Sequence, residues 1–475
     1  MASLLAGAVW CCAAPLCAQA PARDPVVDPT AALLADLIRI NTSNPPGHTQ
    51  ALADLLAPRF RAAGFTVEIF PTPDSAKVHF IARLKGDGSR RPVLLAAHAD
   101  VVGVEPEKWS LDPFAGVIRD GNVYGRGAID FKGGLAVFAM AALRLAEQKV
   151  PLARDVIFMA EADEEGAPMN AGWLAREHWA SMDAEFALNE GGWIIKDDAE
   201  RVRYVSVSTA DKSVTSIVLT AKGTSTHSSM PLPDNPIASL AAAIARISAY
   251  EAPVQLTAES RQFFRTLATT STGDTSRWFR QLLDGTPAEA RVADSIISQD
   301  PLLHAIMRNT IAPVIINGGF RSNVIPGSAS ATINLRLIPG TDPATMVTLV
   351  ERLVNDPRVT VTLAGGTPPS TAGPSSVDTE LYQALAREAK RQWPTAEVTP
   401  YLFQAGTDAG AWRTRGVPVY GIYPYPISND ELRRMHGNDE RVSVQSLREG
   451  TEMIYRTLVS VAGKAGRART TRTRR

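Results

Sequence analysis

"DVIFMAEADEEGAPMN", residues 155–170, opens as a strand made for a core and ends in three consecutive acids. Val156, Ile157, Phe158 and Met159 form an uninterrupted apolar run, the pattern of a strand covered on both faces. Asp163, Glu164 and Glu165 follow at once, and Gly166 and Pro168 break the chain. Like charges gathered where water is scarce raise one another's energy. Something of opposite sign has to meet them.

Outward from that strand, the first half alternates helix and strand. "DPTAALLADLIRI", "HTQALADLLAPRFRAAGF" and "GGLAVFAMAALRLAEQK" have helical spacing, while "PVLLAAHAD" and "EFALNEGG" are short apolar strands. This order predicts an α/β fold with a mixed, mainly parallel sheet flanked by helices. Near residue 207 the pattern changes. "SVTSIVLTAKG", "NPIASLAAAIARISAY", "APVIING", "SASATINLRL", "DPATMVTLVERLVND" and "VTVTLAG" read βαββαβ, the ferredoxin-like order. The large domain is therefore expected in two parts, 25–207 and 367–462, around an inserted α+β domain at 208–366. Residues 251–312 are expected as a helical insertion of that small domain, and "GGTPPSTAGPSS" as the linker leading out of it.

A chain of 475 residues is too long for one ordinary core. Apolar content of 45% and charged content of 21% suit a globular protein, and zero formal charge implies no general polyanion partner, so no nucleic acid is expected. Residues 463–475, with the basic run "KAGRARTTRTRR", read as a disordered tail. Cys11, Cys12 and Cys17 all lie in "MASLLAGAVWCCAAPLCAQA", an apolar stretch ending in an A-x-A pattern but without a positive start. Residues 1–20 are thus expected to be a signal peptide cleaved after Ala20, which places the protein in the periplasm or outside the cell. No other run approaches the roughly 20 apolar residues of a membrane span, so no stable membrane insertion is expected. With its cysteines removed, the mature chain must build any metal site from His, Asp and Glu.

Ligands of an open α/β sheet bind beyond the carboxyl ends of its strands. Four stretches put metal-capable groups there: His98 and Asp100 after "VLLAA", Asp130 in "GRGAID", Glu164 and Glu165 after "FMAEAD", and Glu190 after "FALN". One acid after a strand is usually a helix cap or a solvated loop residue. Four such ends together are harder to assign that way. Zinc accepts imidazole and carboxylate and keeps a position open in catalytic sites; two ions roughly 3.5 to 4 Å apart can share a carboxylate. Calcium suits acids alone, but His98 favours a transition metal. Zn2+ is the expected ion; Co2+ and Mn2+ suit the same donors.

"HADVV", "GRGAIDFKGG", "EADEEG", "LNEGG", "THSSMP" and "MHGNDER", in this order, resemble the dinuclear-zinc peptidases and amidohydrolases. That family includes carboxypeptidase S, aminoacylase, acetylornithine deacetylase and succinyl-diaminopimelate desuccinylase. The resemblance spans roughly residues 30 to 460 and implies the two-domain architecture read above, with the small domain as lid and homodimer contact. It implies that His98 and Glu190 hold one zinc, that Glu165 and His436 hold the other, and that Asp130 bridges both and precedes a cis peptide bond. Asp100 would hydrogen-bond the other ring nitrogen of His98, and Glu164 would be the general base.

The implied reaction is hydrolysis of an amide whose leaving amine belongs to an amino acid. Glu164 would take a proton from the attacking water and return it to the departing nitrogen. His227, reaching in from the partner subunit, would help to hold the oxyanion. Arg336 and Asn323 match positions that hold the substrate carboxylate, and the turn at Gly406, Thr407 and Asp408 would close the other side with backbone N–H groups. Asn334, Thr226 and Asn189 stand where relatives commonly carry Asp, Gly and Asp, which bears on the substrate pose but removes no zinc ligand. His48, His79, His178 and His304 match no motif and are assigned to the surface or to helix packing. The expected function is an exported metallopeptidase that releases a C-terminal amino acid from dipeptides or short peptides. N-acyl-amino-acid hydrolysis is the alternative, and an inactive zinc-containing peptide binder a more remote one.

Overall fold

The computed structural model describes residues 28–166, 168–364 and 372–464. The expected signal segment, most of the linker and the basic tail from residue 465 lie outside them. Among the described residues, the largest sheet has ten strands. At its centre Val156–Glu161, Val93–His98, Phe186–Asn189 and Val419–Gly421 lie side by side and run parallel. The apolar runs "VIFM" and "VLLAA" are buried throughout because packed layers cover both faces. Helix Lys132–Glu147 contributes Leu135, Val137, Phe138 and Leu145 to the larger core cluster; Ala171–Glu177 contributes Leu174 to a second cluster with Ile157, Met159 and Leu94. The parallel centre agrees with the sequence reading.

Antiparallel pairs appear on both flanks. On one side a hairpin, Thr66–Pro71 with Val78–Leu84, extends the sheet. On the other, Val202–Asp211 pairs antiparallel with Val419–Gly421 and Ile194–Lys196, and parallel with Glu397–Phe403. Lys212 alone separates Val202–Asp211 from Ser213–Lys222, which belongs to a second sheet. That sheet is antiparallel throughout, in the order Thr310–Gly318, Ser328–Leu337, Ser213–Lys222, Val359–Ala364. Helices Pro236–Ser248 and Pro343–Val354 cover one face of it through Leu240, Ala243, Ile247, Met346, Val350 and Val354. The chain order is the βαββαβ read from the sequence.

Four helices between Ala258 and Met307 stand in the chain between helix Pro236–Ser248 and strand Thr310–Gly318. They do not share the core of the small sheet. Phe263, Phe264, Leu267, Phe279 and Ile306 belong to the core cluster of the large one. Phe263 lies edge-on to Tyr204 and Tyr401, with ring centroids 5.5 and 4.9 Å away. The sequence shows these helices only as an insertion; the outer strands Val202–Asp211 and Glu397–Phe403 provide the apolar face that they cover. No described helix is long and apolar enough to cross a membrane.

Candidate metal centre

At the carboxyl edge of the parallel strands the expected donors come together. His98 ends its strand; Glu164, Glu165 and Glu190 follow theirs; Asp130 stands just before helix Lys132–Glu147. His436 arrives from near the end of the chain, with a left-handed φ of 59°. Asp130 divides its carboxylate: Oδ1 is 3.1 Å from Nε2 of His98 and Oδ2 is 3.0 Å from Nε2 of His436. Glu190 Oε2 lies 3.5 Å from His98 Nε2, and Glu165 Oε1 lies 3.1 Å from His436 Nε2. Each imidazole thus has its own glutamate, and the aspartate stands between the two pairs. The peptide bond after Asp130 is cis.

The electrostatics call for cations. Burial pushes the carboxyl of Glu190 up to about 7, with Asp130 adding to it, and burial with the charge of Glu190 raises Glu164. Burial also opposes ionisation of Asp130, but the two imidazoles outweigh it and hold its carboxyl low. His436 is raised to about 10 by hydrogen bonds to Asp130 and Glu165. Two imidazoles do not balance Asp130, Glu164, Glu165 and Glu190. Donor atoms of His98, Asp130 and Glu165 lie within 4.8 Å of one another, as do those of His98, Glu164 and Glu190. Imidazole and carboxylate in this arrangement fit a pair of divalent transition-metal ions.

Asp100 meets the other ring nitrogen of His98 through its backbone carbonyl. Nδ1 of His98 hydrogen-bonds the backbone carbonyl of Asp100 at 2.9 Å, whereas the Asp100 carboxylate stands 3.7 Å away. A carbonyl acceptor fixes the ring equally well and leaves Nε2 for a metal. The freed carboxylate accepts from the backbone N–H groups of Glu164 and Glu165, at 3.2 and 3.1 Å. It orients the turn that carries Glu164 and Glu165.

That turn is held from several directions the sequence does not advertise. Asn44 donates to Asp100 Oδ2 at 2.7 Å and to Asp163 Oδ1 at 2.8 Å. Asp163, fully buried with φ 69°, also takes Lys77 and the N–H of Met169, so the first acid of the triplet points away from the ion site. His79, assigned above to the surface or helix packing, is fully buried in a strand. Its Nδ1 accepts from Ala162 N–H and its Nε2 donates to the Met169 carbonyl, clamping both ends of the loop. Glu440 grips the opposite loop: it accepts from the N–H groups of Gly127, Ile129 and Asp130 and pairs with Arg126 at 2.7 Å. Tyr423 places its hydroxyl 3.1 Å from Asp130 Oδ1 and 3.0 Å from Glu190 Oε2. It lies two residues past the strand Val419–Gly421, where the strand-end rule that finds Glu190 would also have pointed.

The remaining expected residues lie on or near the small sheet. Arg336 is half-buried on Ser328–Leu337, its Nε donating to Asn334 Oδ1 at 3.1 Å; burial lowers its pKa and the charge of Glu164 opposes that fall. His227 and Asn323 are exposed at the rim. His227 Nδ1 meets Ser229 Oγ at 2.8 Å, and the Asn323 carbonyl accepts from Ser228 N–H at 3.0 Å. Neither is recorded against the donors above. Gly406 and Thr407 line a cleft of about 200 Å³ with Lys212, Ser213 and Arg413. Thr407 donates to Asp211 at 2.6 Å. Asp408 is buried, accepts from Ala171 N–H at 3.1 Å and is pushed up to about 6 by burial.

The sequence model of peptidase family M20/M25/M40 matches residues 94–460. The human N-fatty-acyl-amino acid synthase/hydrolase PM20D1 is 28% identical over 392 residues, 79% of this chain and 75% of that one. A probable carboxypeptidase S-like 2 of Dictyostelium discoideum is 28% identical over 376 residues, 78% and 71% of the two chains. In fold, the M20 family metallo-carboxypeptidase Sso-CP2 of Sulfolobus solfataricus superposes with a TM-score of 0.70 at 18% identity, over 91% of this chain and 99% of that one. The matched span contains every donor from His98 to His436, and the chain belongs to peptidase family M20/M25/M40, as a metal-dependent hydrolase.

Proposed function

We propose that the protein hydrolyses the amide bond before a C-terminal amino acid in dipeptides or short peptides. The observation that carries this reading is the gathering of His98, Asp130, Glu165, Glu190 and His436 at the strand ends, with Arg336 a half-buried guanidinium on the small sheet. A guanidinium matches a carboxylate through paired donors, so the free carboxylate of a substrate would set its scissile bond beside the base. A pair of divalent ions, when bound, supplies Lewis acidity toward water and the carbonyl. Glu164 moves the proton: no described side chain hydrogen-bonds its carboxylate, while its backbone N–H is tied to Asp100. His98, Glu190, Glu165 and His436 would hold the ions, with Asp130 shared between them.

His227 would complete the site of a second copy. Exposed apolar side chains support such a dimer: Met230 stands three residues from His227, and Val314, Ile315, Ile316 and Phe320 lie on or just after Thr310–Gly318, the edge strand of the small sheet among the described residues, an edge that proteins ordinarily protect. Export rests on the apolar first 20 residues and their A-x-A ending.

N-acyl amino acids are the second reading, favoured by the likeness to the human N-fatty-acyl-amino acid synthase/hydrolase. They carry the same free carboxylate and differ only on the acyl side. Purified mature protein, loaded with Zn2+, should cleave dipeptides faster than N-acetyl or long-chain N-acyl amino acids. A kcat/KM higher for the acylated set would replace the first reading with the second. Undiminished turnover after exhaustive chelation would remove both.

A further inference from the structure

The helix-free face of the small sheet carries a guanidinium without an acid. Along Ser328–Leu337, the side chains of Ile333, Leu335 and Leu337 join the core beneath the two helices, so strand alternation turns Asn334 and Arg336 to the other face. Val214 stands opposite Arg336 and Ser216 opposite Asn334 in the antiparallel register. That face meets the large domain: a Cβ at Gly406 would lie 2.6 Å from Cγ2 of Val214. Arg336 therefore shares a face with the side chain that abuts the turn of Gly406 and Thr407.

Burying a charge without a partner is costly, and the fully buried arginines among the described residues avoid it. Arg126 pairs with Glu440 at 2.7 Å, Arg154 with Glu185 and Glu380 at 2.8 and 2.9 Å, and Arg308 with Glu251 and Asp294. Half-buried Arg336 differs. Its side chain makes one hydrogen bond among the described residues, from Nε to Asn334 Oδ1 at 3.1 Å, and no carboxylate lies within ion-pair distance. A guanidinium only donates, so the amide presents its oxygen here; its Nδ2 turns to Ser216 Oγ at 3.4 Å. Thr310 stands opposite Arg336 on the next strand. Lys212 Nζ, 3.5 Å from the Thr310 hydroxyl, likewise donates to neutral oxygens, the carbonyls of Ala305 and Arg308 at 2.9 and 2.7 Å. The neighbourhood has basic groups and no acid paired with them.

We propose that Asn334 is a positioning residue that sets the preference of this site for a substrate ending in a free carboxylate. It fixes the guanidinium of Arg336 through Nε and, being neutral, leaves the charge and both Nη groups to an anion from outside. An aspartate in its place would orient the guanidinium but neutralise it within the sheet. The inference rests on the reading of Arg336 as the group that holds the substrate carboxylate.

The test compares Zn2+-loaded wild type, Asn334→Asp and Asn334→Ala on a dipeptide and on the same dipeptide amidated at its C-terminus, with circular dichroism checking the fold. Asn334→Asp should cut the preference for the free acid about fivefold, the scale of one partly exposed ion pair, through a higher KM for the acid at unchanged kcat. Asn334→Ala, which frees the guanidinium without neutralising it, should cut the preference about twofold, the scale of a weak net hydrogen bond. A merely damaged protein would lose both substrates alike, so an unchanged preference in either folded variant would overturn the proposal whatever the loss of activity. A cut as deep in Asn334→Ala as in Asn334→Asp would overturn it too, because neutrality would then not matter. Arg336→Lys separates the failures. If it removes a preference that Asn334→Asp keeps, the role of Asn334 falls alone; if wild type shows no preference, the reading of Arg336 falls and the role of Asn334 with it.

Discussion

The cleft at the strand ends and the rim of the small sheet carry residues implied by the same resemblance, yet one chain treats them differently. In the cleft, donors from positions 98 to 436 lie within reach of their neighbours; His98, Asp130 and Glu190 are buried, and His436 is exposed at the mouth. At the rim, His227 and Asn323 are exposed and bonded to their neighbours. A parallel sheet gathers its strand tips whatever else the protein does, so cleft geometry is a property of the single chain. The rim needs another partner, or a movement of the small sheet, to become part of a site.

The largest effect tests the cleft. Glu164→Gln should lower kcat by about 10²–10⁴, the range of general acid–base help, while metal analysis still finds two ions. Loss of the ions in this variant would make Glu164 a ligand instead of a free base. The rim comes next. His227→Ala should lower kcat by about 10²–10³, as loss of an oxyanion donor does. Mixing it with Glu164→Gln under conditions that exchange subunits should restore turnover, because each chain supplies what the other lacks. If the mixture stays as inactive as its parts, His227 does not act across a dimer.

The contrast also separates what was legible in the sequence from what was not. His98, Glu164, Glu165 and Glu190 could be read because each follows a short apolar run, and a strand tip in an α/β sheet is a place as well as a pattern. The supports could not. Asn44 reaches Asp100 and Asp163, 56 and 119 residues away, and His79 reaches Ala162. Neither carries a local signal. Spacing places Asp100 beside the ring of His98 but does not say whether carbonyl or carboxylate faces Nδ1. The core that the helices from Ala258 to Met307 join was not legible for a similar reason: amphipathicity shows that a helix has an apolar face, not which sheet will cover it.

His79 sharpens the cleft side through pH. Burial lowers its pKa from 6.5 to about 4, against a smaller opposing pull from the Met169 carbonyl. The folded protein keeps this imidazole neutral while the unfolded chain protonates it below 6.5. Its contribution is complete above that pH and is lost as pH falls toward 4, by roughly 3 kcal/mol in all at about 1.4 kcal/mol per unit. Denaturant melts of metal-free wild type and His79→Gln between these limits should show a shallower acid decline in the variant. Parallel declines would mean that the clamp on Ala162 and Met169 does not depend on a neutral ring.

Arg336 belongs to neither side alone, and the smallest effect tests whether it joins them. It sits on the small sheet between Val214 and Thr310, yet interacts electrostatically with Glu164 in the cleft. Lysine would keep the charge but not the paired donors of a guanidinium. Arg336→Lys should therefore lower kcat/KM about tenfold, the loss of roughly one charge-assisted hydrogen bond, chiefly through KM. The informative comparison is a dipeptide against the same dipeptide with its C-terminus amidated. Wild type should favour the free acid strongly and the variant much less. If both proteins prefer the free acid by the same factor, the carboxylate is held elsewhere, and the small sheet contributes to this site only from its rim.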